Sequence, residues 1–215
     1  MDITILCGSE QHPINDSLIK WKEKNKEIHH IDIIYRKEEL QKGDILFLIS
    51  YPKILGKEER SKFKKTLVIH ASDLPNGRGW SPHIWELISG CNELTVTLLE
   101  AGDEVDAGDI WKKNVVKIPN SSLHDEIDHI LFQEEIYLMD YAINNFENIQ
   151  PTSQKNMGNP TYYRKRTPAD SEIDPYISIA EQFNLIRVCN PDRYPAFLKL
   201  NGHTYQIQLK KIDNN

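Results

Sequence analysis

Asp44-Ile45-Leu46-Phe47-Leu48-Ile49-Ser50 is the stretch that decides the fold. An apolar run with no polar alternation is the pattern of a strand covered on both faces. Thr66-Leu67-Val68-Ile69-His70 is a second such run, and Ile31 to Tyr35 a third short one. Upstream, the β-branched stretch from Asp2 to Cys7 stops at Gly8-Ser9-Glu10, and Asn15-Asp16-Ser17 can cap a helix that reaches Lys24. Strands alternating with helical segments predict an α/β chain with a parallel-rich sheet flanked by helices, whose ligands gather beyond the carboxyl ends of the strands. His70 stands at such an end.

Downstream, Ser81 as cap, Pro82 at the first helical position and Gly90 as terminator punctuate a short helix. Thr95 to Glu100 and Ile110 to Ile118 read as strands around the acidic loop Ala101 to Asp109. Ser121 and Ser122 open a long amphipathic helix ending near Asn148. From Gln150 to Pro160 the composition turns to Pro, Ser, Gln, Asn and Gly, so a boundary is expected there, dividing a domain of residues 1–150 from a subdomain of residues 151–215. That subdomain should hold a short helix, from about Ile177 to Val188, and a hairpin, Phe197 to Leu200 and His203 to Ile212, turned by Asn201-Gly202.

The chain has 215 residues, 39% apolar and 27% charged, with a net charge of −6. That is material for a folded core, and it argues against gripping nucleic acid over a wide face. No apolar run approaches the ~18 residues of a membrane span and the opening lacks a signal peptide, so a cytoplasmic protein is expected. The three cysteines, Cys7, Cys91 and Cys189, are widely spaced and read as reduced fillers.

The chemistry concentrates in two segments. In Val68-Ile69-His70-Ala71-Ser72-Asp73-Leu74-Pro75-Asn76-Gly77-Arg78-Gly79-Trp80-Ser81-Pro82 a histidine leaves a strand into a glycine-bearing turn, where it either caps the strand or presents an imidazole to a crevice. Glu104-Val105-Asp106-Ala107-Gly108-Asp109 offers carboxylates that either are solvated or orient that imidazole. The polar stretch His124-Asp125-Glu126-Ile127-Asp128-His129 has a histidine spacing of five, which does not share a helical face. It is expected to be solvated, and no metal site is expected.

The motifs H-A-S-x-L-P-x-x-R-G at residue 70 and V-D-A-G-D-I at residue 105 resemble those of the N10-formyltetrahydrofolate-dependent formyltransferases, over about residues 44 to 111. The stretch from Thr161 to Asp174, with Asn184-Leu185-Ile186-Arg187, is similar to the segment just past the catalytic core in the sugar and tRNA members. The resemblance implies a Rossmann-like formyltransferase core with a small carboxyl-terminal helix and β-hairpin. It makes His70 and Asp106 the catalytic pair and N10-formyltetrahydrofolate the co-substrate. It places the folate against Tyr51, Ile54, Leu55, Ala101, Asp103 and Val105, and the acceptor against Ser72, Arg78, Gly79 and Trp80. Tyr163, Arg164 and Arg166 would supply an aromatic face and planar donors for a base and pyrophosphate.

The family's Asn-x-His pattern is broken here, with Val68 at the Asn position. Residues 68 and 70 share a strand face, so hydrocarbon replaces the amide that helps hold the formyl oxygen; protonated His70, a backbone amide or Ser72 are the expected substitutes. Length and net charge are expected to disfavour a tRNA acceptor, and Glu10 in the first loop disfavours a phosphate there. What remains is a nucleotide-linked 4-amino-4,6-dideoxy sugar on UDP or dTDP, destined for a surface glycan, with no nucleic acid or membrane partner. The hairpin edge offers a surface for a homodimer. A hydrolase, either a formyltetrahydrofolate deformylase or a serine hydrolase using Ser72, His70 and Asp106, and an inactive folate-binding module are the alternatives.

Overall fold

In the computed structural model, which describes residues 1–212, a six-stranded sheet runs in the order β2-β1-β3-β4-β6-β7. Its strands are β1 (Asp2–Cys7), β2 (His30–Ile34), β3 (Gly43–Ile49), β4 (Phe63–His70), β6 (Glu93–Glu100) and β7 (Ile110–Lys117). The first four are parallel neighbours, whereas β6 pairs antiparallel with β4 and β7 antiparallel with β6. The sheet is thus parallel over four of its six strands, which include those of the unbroken apolar runs. After α3 (Pro82–Ile88) the Thr95–Glu100 segment returns antiparallel to β4.

The run in β3 serves both faces. Ile45, Phe47 and Ile49 join one cluster with Leu18 and Trp21 of α1 (Asn15–Asn25) and Ile127, Leu131 and Leu138 of α4 (His124–Asn145). Leu46 and Leu48 join the opposite cluster with Leu6, Leu55 and Phe63, beside α2 (Lys57–Arg60). Burying such side chains contributes roughly 1.5–3 kcal/mol each, which locks the register of the central strands.

Ser81 does not cap α3: it sits at a left-handed φ of 46° and its side chain makes no capping bond. Helix α4 begins two residues after Ser122, where the Glu126 carboxylate accepts from the Leu123 amide at 2.8 Å. Two short strands, β5 (Arg78–Gly79) and β8 (Tyr162–Tyr163), pair in parallel and tie the turn after His70 to the chain beyond α4. Residues 173–198 carry a small cluster of their own, Ile173, Ile186, Cys189 and Ala196, around α5 (Ile179–Arg187) and the hairpin β9–β10 (Ala196–Leu200, His203–Ile207). Asn201 and Gly202 turn it with φ of 51° and 78°, the conformation that an Asn-Gly hairpin needs.

Candidate active site

Strands β1, β3 and β4 end side by side, and beyond their carboxyl ends lies a cavity of about 610 Å³. Gly8 lets two of these ends close together, since a Cβ there would lie 2.1 Å from the Ser50 carbonyl oxygen. One part of the wall, Tyr51, Leu55, Val68 and Ala101, belongs to one face of the sheet, and another, Ile127, Leu131 and Val188, to the opposite face. The cavity therefore passes over the edge of the sheet, past the last residue of β4, His70.

His70 and Asp106 meet there. Their side chains are only 10% and 11% exposed, with Nε2 of His70 3.6 Å from Oδ2 of Asp106. The same Nε2 lies 2.8 Å from the carbonyl oxygen of Gly77. A carbonyl only accepts, so Nε2 carries the proton and the lone pair is left on Nδ1. Asp106 adopts a left-handed φ of 51° and accepts from the Gly79 amide at 2.9 Å. That backbone costs a non-glycine residue about 1–2 kcal/mol, so its surroundings must hold it.

They do so through side chains that motif spacing does not reveal. Gln154 donates to the carbonyls of Asp106 and Gly108 at 2.9 and 2.7 Å and accepts from the Arg78 guanidinium at 2.8 Å. Thr161 accepts from the Gly77 amide at 2.8 Å. At Gly79, φ is 95° and a Cβ would lie 2.5 Å from the Tyr163 carbonyl oxygen, so only glycine lets β5 approach β8. The loop after α4, read from sequence as a mere connection, is thus the frame of the His70–Asp106 pair.

Of the residues expected to hold folate, Tyr51, Ile54, Leu55, Ala101 and Val105 line the cavity. Asp103 does not; it is exposed and pairs with Arg60. Arg60, which no sequence motif marks, donates to the carbonyls of Leu55 and Gly102 at 2.8 and 2.6 Å and joins the two loops.

Of the residues expected to hold the acceptor, Gly79, Trp80 and Arg166 line the cavity, whereas Ser72, Arg78, Tyr163 and Arg164 do not. Ser72 is fully buried, so its hydroxyl serves neither as nucleophile nor as oxyanion donor. Arg78 faces Gln154 and Tyr162. Tyr163 stacks on Trp85, with rings 6.4 Å apart and 8° from parallel, and Arg164 lies over the same indole while forking onto Asp170. Arg166 is 9% exposed, donates to Ser171 Oγ at 3.0 Å, and has no carboxylate within 4.0 Å among the described residues.

The other end of the cavity corrects the expectation for residues 124 to 129. His124 and Asp128, four apart, face inward with Phe132 and Glu135, while His129 is exposed. Burial pushes the Glu135 carboxyl up to about 8, with the charge of Asp128 adding to it, and raises Asp128 to about 6. Burial also lowers His12 to about 4, helped by Arg193. Among the described residues, no set of three or more His, Cys, Asp or Glu side chains is placed to hold a metal ion, and no helix is long and apolar enough to cross a membrane.

Comparison with known proteins agrees with this arrangement. Residues 8–141 match the family model described as formyl transferase. This chain belongs to the formyl transferase family. Among curated members, methionyl-tRNA formyltransferase of Clostridium beijerinckii is 32% identical over 192 residues, covering 86% of this chain; the chain spans 60% of that relative's length. The solved methionyl-tRNA formyltransferase of Clostridium thermocellum superposes with a TM-score of 0.83 at 23% identity, over 99% of this chain and 94% of that one. A sugar N-formyltransferase from a Shewanella species gives 0.71 at 17% identity, over 100% and 99%. At those identities the likeness is one of fold.

Proposed function

We propose that this formyl transferase moves the formyl group of N10-formyltetrahydrofolate to the primary amine of a nucleotide-linked amino sugar, of the 4-amino-4,6-dideoxy type on UDP or dTDP, for a surface glycan. The observation that carries the reading is one continuous cavity whose walls differ: apolar at Tyr51, Ile54 and Leu55, polar at His12, His124, Asp128 and Glu135, with His70 and Asp106 at the sheet edge. A pterin suits the first wall. A hydroxyl-rich ring suits the second, where carboxyl and imidazole groups can both donate and accept.

In this reading the donor supplies the formyl carbon. Nδ1 of His70 takes the proton that the attacking amine loses and returns it to the departing nitrogen, while Asp106 supports the imidazolium between the two transfers. Arg166, a shielded cation with no carboxylate partner among the described residues, is suited to the acceptor's phosphates. Tyr163 and Arg164 act at a distance, by fixing the Trp85 helix. Residues 1–150 form the catalytic domain and residues 151–215 the subdomain that braces it. The hairpin edge is open to a second copy, and the enzyme works in the cytoplasm on a soluble acceptor.

Mass spectrometry of reactions with UDP- and dTDP-amino sugars and the formyl donor tests this: the expected result is an acceptor heavier by one formyl group. Formate release without such a product would make the protein a hydrolase. Methionyl-tRNA is the second reading, favoured by the relative at 32% identity, and it belongs in the same panel. Arg166→Ala should weaken acceptor binding in calorimetric titration at least tenfold and leave folate binding unchanged; equal losses for both ligands would assign Arg166 a structural role.

A further inference from the structure

The family's amide donor is missing at Val68, and the expected substitutes are otherwise engaged. Ser72 is buried away from the cavity, and the Nε2 proton of His70 goes to the Gly77 carbonyl. The amides of the turn are committed too: Gly77 to Thr161 Oγ1, Arg78 to the Thr161 carbonyl, Gly79 to Asp106 and Trp80 to the Tyr163 carbonyl.

Another polar side chain that lines the cavity has a ring nitrogen without a partner. His83, the second residue of α3, lines the cavity with His70, Val68 and Ile84. Its Nδ1 is shielded from solvent and has no partner among the described residues. A proton there would be an orphaned donor, costlier than an orphaned lone pair, so the ring keeps its proton on Nε2. We propose that Nε2–H of His83 donates the hydrogen bond that holds the formyl oxygen, filling the place that Val68 leaves empty. The inference rests on the formyl-transfer reading above and adds to it a catalytic residue.

The step balances with the groups named. The amine lone pair forms the new C–N bond and the C=O π pair moves onto oxygen, where His83 donates. When that pair returns, the bond to the donor nitrogen breaks, and His70 has carried one proton from the amine to that nitrogen. Burial, helped by the neighbouring His70 and by the charge of Arg166, lowers the His83 imidazole to about 4. It therefore stays neutral at working pH, donates without giving up its proton, and does not compete with His70 as base.

The test compares His83→Leu with His83→Gln in the full chain. Loss of an oxyanion donor predicts a kcat reduced ~100-fold in the Leu variant with the donor's KM nearly unchanged, and partial recovery in Gln, which keeps an N–H. Adding Val68→Asn to His83→Leu should recover rate as well, which a merely structural histidine would not allow. Nitrogen-15 NMR of the wild-type protein should show the His83 proton on Nε2 and no protonation down to pH 5, and it decides the matter if the Leu variant does not fold. An active enzyme whose His83→Leu turns over within threefold of wild type, or a proton on Nδ1, overturns the proposal and leaves formyl transfer standing. A wild-type protein that formylates no amine overturns both.

Discussion

At the scale of single residues the site is a division of labour between charge and hydrocarbon. In the proposed mechanism His70 and Asp106 handle the proton, so His70→Ala and Asp106→Ala should each lower formyl transfer by ~100- to 10,000-fold in a protein that still folds. A loss under tenfold in a folded variant would remove both from the mechanism. Val68 gives a complementary expectation. With His83 already donating, Val68→Asn supplies a redundant amide and should change turnover by less than tenfold, at a stability cost of ~1–3 kcal/mol if the amide is left unpaired. Turnover and melting curves recorded together check this, and an acceleration beyond tenfold would mean that nothing in the native site holds the oxygen.

At the scale of elements, the critical joint is between the loop after β6 and the segment after α4. Gln154 makes three bonds across that joint, two to carbonyls of the Asp106 loop and one to Arg78. Gln154→Ala leaves those partners unsatisfied in a buried place and should cost about 1–3 kcal/mol of stability, read as a lower midpoint in urea. Because Asp106 is held in left-handed backbone by that joint, kcat should fall with stability while the folate KM moves little. A destabilised variant with full kcat would show that Asp106 keeps its place without Gln154. Arg60 makes the equivalent joint between the loops after β3 and β6, from the other side of the cavity.

At the scale of the molecule, buried titratable groups set how stability depends on pH. Glu135 is raised from 4.5 to about 8, so between those values the folded chain holds a proton that the unfolded chain has lost, and stability falls as pH rises. His12 and His83, lowered from 6.5 to about 4, act in the opposite sense, and because the unfolded imidazoles are still half protonated at pH 6.5 their effect ends only about one pH unit higher. From about pH 7.5 to about 8.5 the Glu135 effect outweighs theirs. The melting temperature of the wild type should drop across that interval, with a slope of at most ~1.4 kcal/mol per pH unit, and Glu135→Gln should flatten it. An unchanged slope in the variant would place the titrating group elsewhere.

What the sequence by itself determined is local or repetitive. The unbroken run of β3 is covered on both faces because its alternate side chains have a cluster on each side. Asn201-Gly202 turns the hairpin because those two residues tolerate positive φ. The motifs at residues 70 and 106 marked the pair that the fold brings within 3.6 Å. Tertiary structure alone decided the rest, since it depends on what lies beside a residue and not on what precedes it. Tyr163 and Arg164 look like ligand groups but are drawn to Trp85, whereas Arg166, two residues on, turns inward. Gln154 and Arg60 carry no pattern, because they bond carbonyls and any backbone offers those. His83 and Glu135 sit at ordinary helical spacing, and only the packing of α3 and α4 at the sheet edge partly buries them beside the cavity, which lowers the one and raises the other toward their neutral forms.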